Sequence, residues 1–110
     1  MQVQAISNQN FNGSIFLSRN IKPKTAELLI DSACKAGIAK KPYNLEFLNI
    51  KDGNFKFVSI KAFNSKQPEK QYRVLVQDYL QRKDILQSAI KDATTGYENM
   101  VNSQNLNKVI

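Results

Sequence analysis

Residues 45–60, LEFLNIKDGNFKFVSI, read as two strands folded about a turn at Asp52-Gly53. Leu45 and Phe47 fall on one side of the first strand, and Leu48 and Ile50 on the other. After the turn Phe55 and Phe57 share one side, and Val58 and Ile60 the opposite one. A two-residue type I′ turn pairs Ile50 with Phe55 and Leu48 with Phe57. A three-residue loop over Lys51-Asp52-Gly53 would instead set Phe47 against Phe57. Either pairing leaves apolar side chains on both faces, with lysines between them. That pattern fits central strands covered on two sides or a strongly twisted hairpin whose tip meets a second surface, and Phe47, Leu48, Phe57, Val58 and Ile60 are all expected to be buried.

Outward from the hairpin, KPKTAELLIDSACKAG (22–37) is the clearest helix, about 24–36. Pro23 suits its first turn and Gly37 the position after its last. Ala26, Leu29, Ile30, Ala33 and Cys34 recur at the spacing of a buried stripe, so Cys34 is expected in the core. Asp31 precedes Lys35 by four residues, the favourable order for an ion pair. QVQAI (2–6) and GSIFLS (13–18) read as strands, and Phe11 is expected to dock the polar loop between them. KQYRVLVQ (70–77) reads as a strand extending the meander, with Tyr72, Val74 and Val76 on one face and Leu75 on the other; helix is the competing reading, since Lys, Gln and Arg favour it. From Asp78 the pattern is helical, about 79–101, with Asp78-x-x-Gln81 as its capping start; Asp84-x-x-Gln87 offers a second start, which would make two helices joined near Arg82. Thr94-Thr95-Gly96 is a candidate end or kink, and a loose tail is expected from about 102. The fold class is α+β: one domain, residues 1–110, with an antiparallel sheet of about five strands (central hairpin 44–62) and two helices packed on it.

From residue 24 onward, the order helix, three strands, helix resembles the outline of a double-stranded RNA-binding domain. Such domains share a glycine- and lysine-rich start to the final helix. VQDYLQRKDILQ (76–87) departs from that pattern, with Arg82 and Lys83 a turn late behind Asp78. The resemblance therefore implies an order of elements and no function.

Composition narrows the chemistry. Histidine is absent and cysteine occurs once, which removes the commonest general base, the Cys/His zinc sites and any intramolecular disulfide. The four glycines are scattered, so no phosphate-cradling loop is formed. Ser32/Lys35 and Ser88/Lys91 have the Ser-x-x-Lys spacing of some acyl-enzymes but lack the accompanying motifs. No cofactor, no metal and no catalytic residue is expected. No apolar run approaches the roughly 20 residues that span a bilayer, so a cytoplasmic location is expected by default.

The net charge is +7, with thirteen lysines among sixteen basic residues. Residues 51–73 hold six basic and two acidic side chains, whereas residues 74–110 hold four of each. Lys56 and Lys61 leave opposite sides of one strand, so the lysines do not form a single stripe. The leading expectation is a small non-catalytic binding or regulatory module with a protein partner, or a homodimer closing any uncovered sheet face. The alternative is nucleic-acid binding through Lys22, Lys24, Lys40, Lys41, Lys56, Lys61, Lys66, Lys70 and Arg73.

Overall fold

The computed structural model describes the backbone of residues 3–7 and 13–109, and the side chains of residues 13–102. The expected docking of Phe11 lies outside the described residues. The elements run β1 (Val3–Ser7), β2 (Ser14–Ser18), α1 (Pro23–Lys35), β3 (Asn44–Asp52), β4 (Phe55–Asn64), β5 (Gln67–Gln77) and α2 (Lys83–Val109). The strands form one sheet in the order β1-β2-β3-β4-β5. The class is α+β as expected, but the sheet is mixed and not antiparallel throughout. β2 pairs with β3 in parallel, through Ile15↔Leu45, Phe16↔Glu46 and Leu17↔Phe47. The reason is the connection: α1 lies between the two strands, so the chain is carried back before β3 begins.

Leu45 pairs with Ala62, Phe47 with Ile60, Ile50 with Phe57 and Asp52 with Phe55. The turn residues are therefore Gly53 and Asn54, a correction to both expected pairings. Gly53 has φ +60°, and no other residue type takes positive φ among the described residues. Positive φ at the first central residue alone is the II′ pattern, whereas a type I′ turn at Asp52-Gly53 would force Asp52 into that region too. The slip from the two-residue expectation is two residues, so no side chain changes face.

Both helices cover the same face. The core joins Leu29 and Ala33 of α1, and Leu86, Ile90, Ala93 and Tyr97 of α2, to Ile15, Leu45, Phe47, Val58, Ile60, Ala62 and Val76. Expected burial holds for Phe47, Val58 and Ile60, but Leu48 and Phe57 on the opposite face are only partly buried. No described helix lies over them, which corrects the expectation of a hairpin covered on both sides. β5 behaves as expected, with Val76 buried and Leu75 49% exposed on the far face.

α1 has Pro23 in its first turn and ends at Ala36, with Gly37 in the left-handed region. Its buried stripe is Thr25, Ala26, Leu29, Ser32 and Ala33. Cys34 is exposed and Ile30 only partly buried, because the stripe sits a step earlier around the helix than the hydrophobic residues suggested. Asp31 and Lys35 form the expected pair at 3.2 Å, exposed to solvent. α2 starts at Lys83 and not at 79, one residue before the second start expected at Asp84. Asp78–Leu80 makes a 3₁₀ turn, and Gln81 donates to the Asp78 carboxylate instead of capping a helix. Asp84 stands in the first turn of α2, where the helix dipole favours an acid. The helix continues through Gly96. Its assignment extends to Val109, across the segment expected as a tail.

Candidate nucleic-acid interface

At the β3–β4 turn, one end of the sheet gathers basic and aromatic side chains. Its construction begins with two asparagines. Asn20, just after β2, takes the Asn49 backbone N–H on its Oδ1 at 3.1 Å and donates Nδ2 to the Asn49 carbonyl at 3.2 Å. Asn49 returns a bond from its own Nδ2 to the Asn20 carbonyl. These bonds continue the β2/β3 ladder past the end of β2 and fix the segment that enters α1. Lys22 is thereby held at the N-cap of α1. A second tether comes from Thr25, whose hydroxyl bonds Gln81, which in turn donates to Asp78. The segment carrying Tyr79 is tied to the start of α1.

Lys51 lies directly opposite Lys56 across β3 and β4, and both are exposed. Like charges directly opposite on a sheet are unfavourable. Lys22, Lys51 and Lys56 line one cleft of about 290 Å³ with Asn20, Asn49, Ile50 and Asp78. The first turn of α1 holds no acid, and Lys22 and Lys24 place positive charge at its positive dipole end. Like charge thus meets like charge at the Lys51/Lys56 rung and again at the start of α1, with the Asp78 carboxylate also lining the cleft.

An adjoining cleft of about 300 Å³ shares Lys56 and Asp78 and adds Asn54, Phe55, Gln77 and Tyr79. Phe55 is 65% exposed and Tyr79 76%, the two most exposed large apolar side chains described. Buried aromatics stabilise a core, whereas these two are mostly exposed and share one cleft with Lys56.

The structure separates the other sequence candidates. Lys61 leaves the opposite face of β4 from Lys56, as expected, pairs with Glu46 at 3.3 Å and lies 5.1 Å from the Phe63 ring centre. Arg73 is exposed beside it on β5. Lys41 pairs with Glu98 at 3.0 Å. Lys40 and Lys66 sit on turns at the other end of the sheet, and Lys70 lies partly buried early in β5. Lys24 is exposed on α1, along a separate cleft with Glu27 and Asp31. Of the nine candidates, the structure gathers Lys22 and Lys56 in one cleft. Lys51, Phe55 and Tyr79 join them without having been singled out as site residues. The cross-strand Lys51/Lys56 pairing was the available signal, hidden by the two-residue slip. Tyr79 falls at the start of the expected helix in the sequence, whereas the structure places it in a 3₁₀ turn before α2.

Tyr43, Glu98 and Lys41 form the other polar cluster. The Tyr43 hydroxyl donates to Glu98, and its ring packs 4.7 Å from that of Tyr97. Burial, then the hydrogen bond to Glu98, raises the Tyr43 hydroxyl far above its ordinary range. The Tyr43 hydrogen bond, aided by Lys41, holds the Glu98 carboxyl below its ordinary value. Each group satisfies the other, which suits a latch between the β3 entry and α2 better than acid–base chemistry. Among the described residues no group of three or more His, Cys, Asp or Glu side chains is placed to hold a metal ion. No described helix is long and apolar enough to cross a membrane. Comparison with protein-family models, curated proteins and solved structures gave no match to this chain.

Proposed function

We propose that this chain is a small, non-catalytic, cytoplasmic module that binds single-stranded nucleic acid at the β3–β4 end of its sheet. The observation that carries this reading is that Phe55 and Tyr79, both mostly exposed, line one cleft with Lys56, which also lines the adjoining cleft with Lys51 and Lys22. Bases stack on exposed aromatic faces, and lysines track the phosphates, a combination that tolerates any sequence. A duplex keeps its bases stacked on each other and has little use for the two rings. A second reading, docking of a protein on the open sheet face, is supported by the partial exposure of Leu48, Ile50 and Phe57 and by Leu75.

Fluorescence anisotropy with a labelled single strand of about ten nucleotides, within the usual site sizes, tests the first reading. Phe55→Ala and Tyr79→Ala should each weaken binding by about 5- to 150-fold, from roughly 1–3 kcal/mol per stacked base. Lys56→Ala should flatten the salt dependence by about 0.7 per phosphate released, and Lys61→Ala should leave it unchanged. Absence of binding at about 50 mM salt would overturn the proposal.

A further inference from the structure

We infer that the open face of the sheet is the interface between two copies of this chain, related by a two-fold axis lying along the strands. The side chains on this face stand in rows that cross the sheet. One row is Phe16, Glu46, Lys61 and Arg73, each directly registered with the next from β2 to β5. A two-fold axis parallel to the strands reverses a row and lays it against itself. Glu46 then faces the partner's Lys61, Lys61 the partner's Glu46, and Arg73 and Phe16 face each other across the interface twice. Every charge in the row meets either the opposite charge or an aromatic ring. Self-complementarity of this kind is what an isologous interface requires.

The neighbouring rows fit the same operation. Leu48, Ser59 and Leu75 form one, and Ile50 and Phe57 another. Reversal sets Ile50 against Phe57, as in the interdigitated inner faces of two aligned sheets about 10 Å apart, while Ser59 is already fully buried within the chain in its row between Leu48 and Leu75. None of Phe16, Leu48, Ile50, Phe57 and Phe63 belongs to the core or to the side chains packed around it. They already gather on this face, where the Phe16 and Phe63 rings lie 5.9 Å apart.

Charge exchange between two chains tests the pairing and not merely the association. The unaltered chain should sediment as a dimer, and Glu46→Lys and Lys61→Glu should each give a monomer. In each variant residues 46 and 61 carry like charge within the chain. An equimolar mixture of the two should nevertheless form a heterodimer, because only between chains are the opposite charges restored. Leu48→Asp and Leu75→Asp leave the ion pair intact and should also give monomers, with circular dichroism confirming that each variant is folded. A monomeric unaltered chain at every reachable concentration overturns the inference. So do dimers that persist in the single variants, or a mixture that stays monomeric.

Discussion

A methyl group on Gly96 would lie 2.4 Å from the Tyr72 ring, and that ring explains why a glycine stands in the middle of a long helix. Glycine costs a helix about 1 kcal/mol relative to alanine, so something must hold it there. Tyr72 reaches from β5 onto α2 and fills the space where a Cβ would be. Gly96→Ala alone should therefore destabilise the chain, the overpacking of about 1–3 kcal/mol exceeding the gain in helix propensity. In a Tyr72→Ala background the same change should stabilise by about 1 kcal/mol. Urea unfolding of the four proteins measures the coupling, and additive effects would refute it. Gly13 is the harder case, since a Cβ there would lie 1.6 Å from the Ile38 carbonyl oxygen, on backbone that cannot swing aside. Neither constraint was legible in the sequence. Asn12-Gly13 looks like a turn and Thr95-Gly96 like a helix end, because a glycine required by a distant neighbour is indistinguishable from one required by its own φ.

Among the elements, the β3–β4 hairpin shows how alternation was read correctly and its burial wrongly. Phe47 and Phe57 look equivalent in sequence, yet Phe47 is fully buried under the helices and Phe57 is partly exposed on the other face. Phe47→Ala should cost about 3–5 kcal/mol. Phe57→Ala should cost less than about 2 kcal/mol in a monomeric background such as Glu46→Lys, since less apolar area returns to water. Chemical denaturation of both decides, and equal costs would mean that the far face is as well packed as the near one. Helix and strand order was legible because periodicity and breakers act locally. The parallel β2/β3 pair was not, because it depends on how α1 packs. The site was legible in part: alternation separated Lys56 from Lys61, but the exposure of Phe55 and Tyr79 is decided by where the sheet ends.

For the whole molecule, the Tyr43–Glu98 latch sets a pH range of stability. Glu98 is held below its ordinary value of 4.5, so its contribution is present above that pH and is lost as pH falls through the lower folded value. Tyr43 and Tyr97 are raised above their ordinary 10.0, so their contribution is present below pH 10 and declines above it, where unfolding releases their protons. Thermal unfolding across pH should show both limbs. Tyr43→Phe removes the hydrogen bond that chiefly lowers Glu98, so it should flatten the acid limb. The alkaline limb should shrink to the part owed to Tyr97. An acid limb unchanged in Tyr43→Phe would show that Glu98 owes its stabilisation to Lys41 instead.

The strand order has a consequence for how the chain acquires its shape. Neighbours in the sheet are also neighbours along the chain, so most closures are short and entropically cheap. The exception is β2 with β3, where α1 is the segment that must form and fold back. During synthesis the sheet grows from one side to the other in the order in which the ribosome delivers its strands. The final helix arrives last, and until it does Val58, Ile60 and Val76 lack the cover that Leu86, Ile90 and Ala93 supply. The nascent chain is therefore most prone to stick to others in the interval between completing β5 and completing α2.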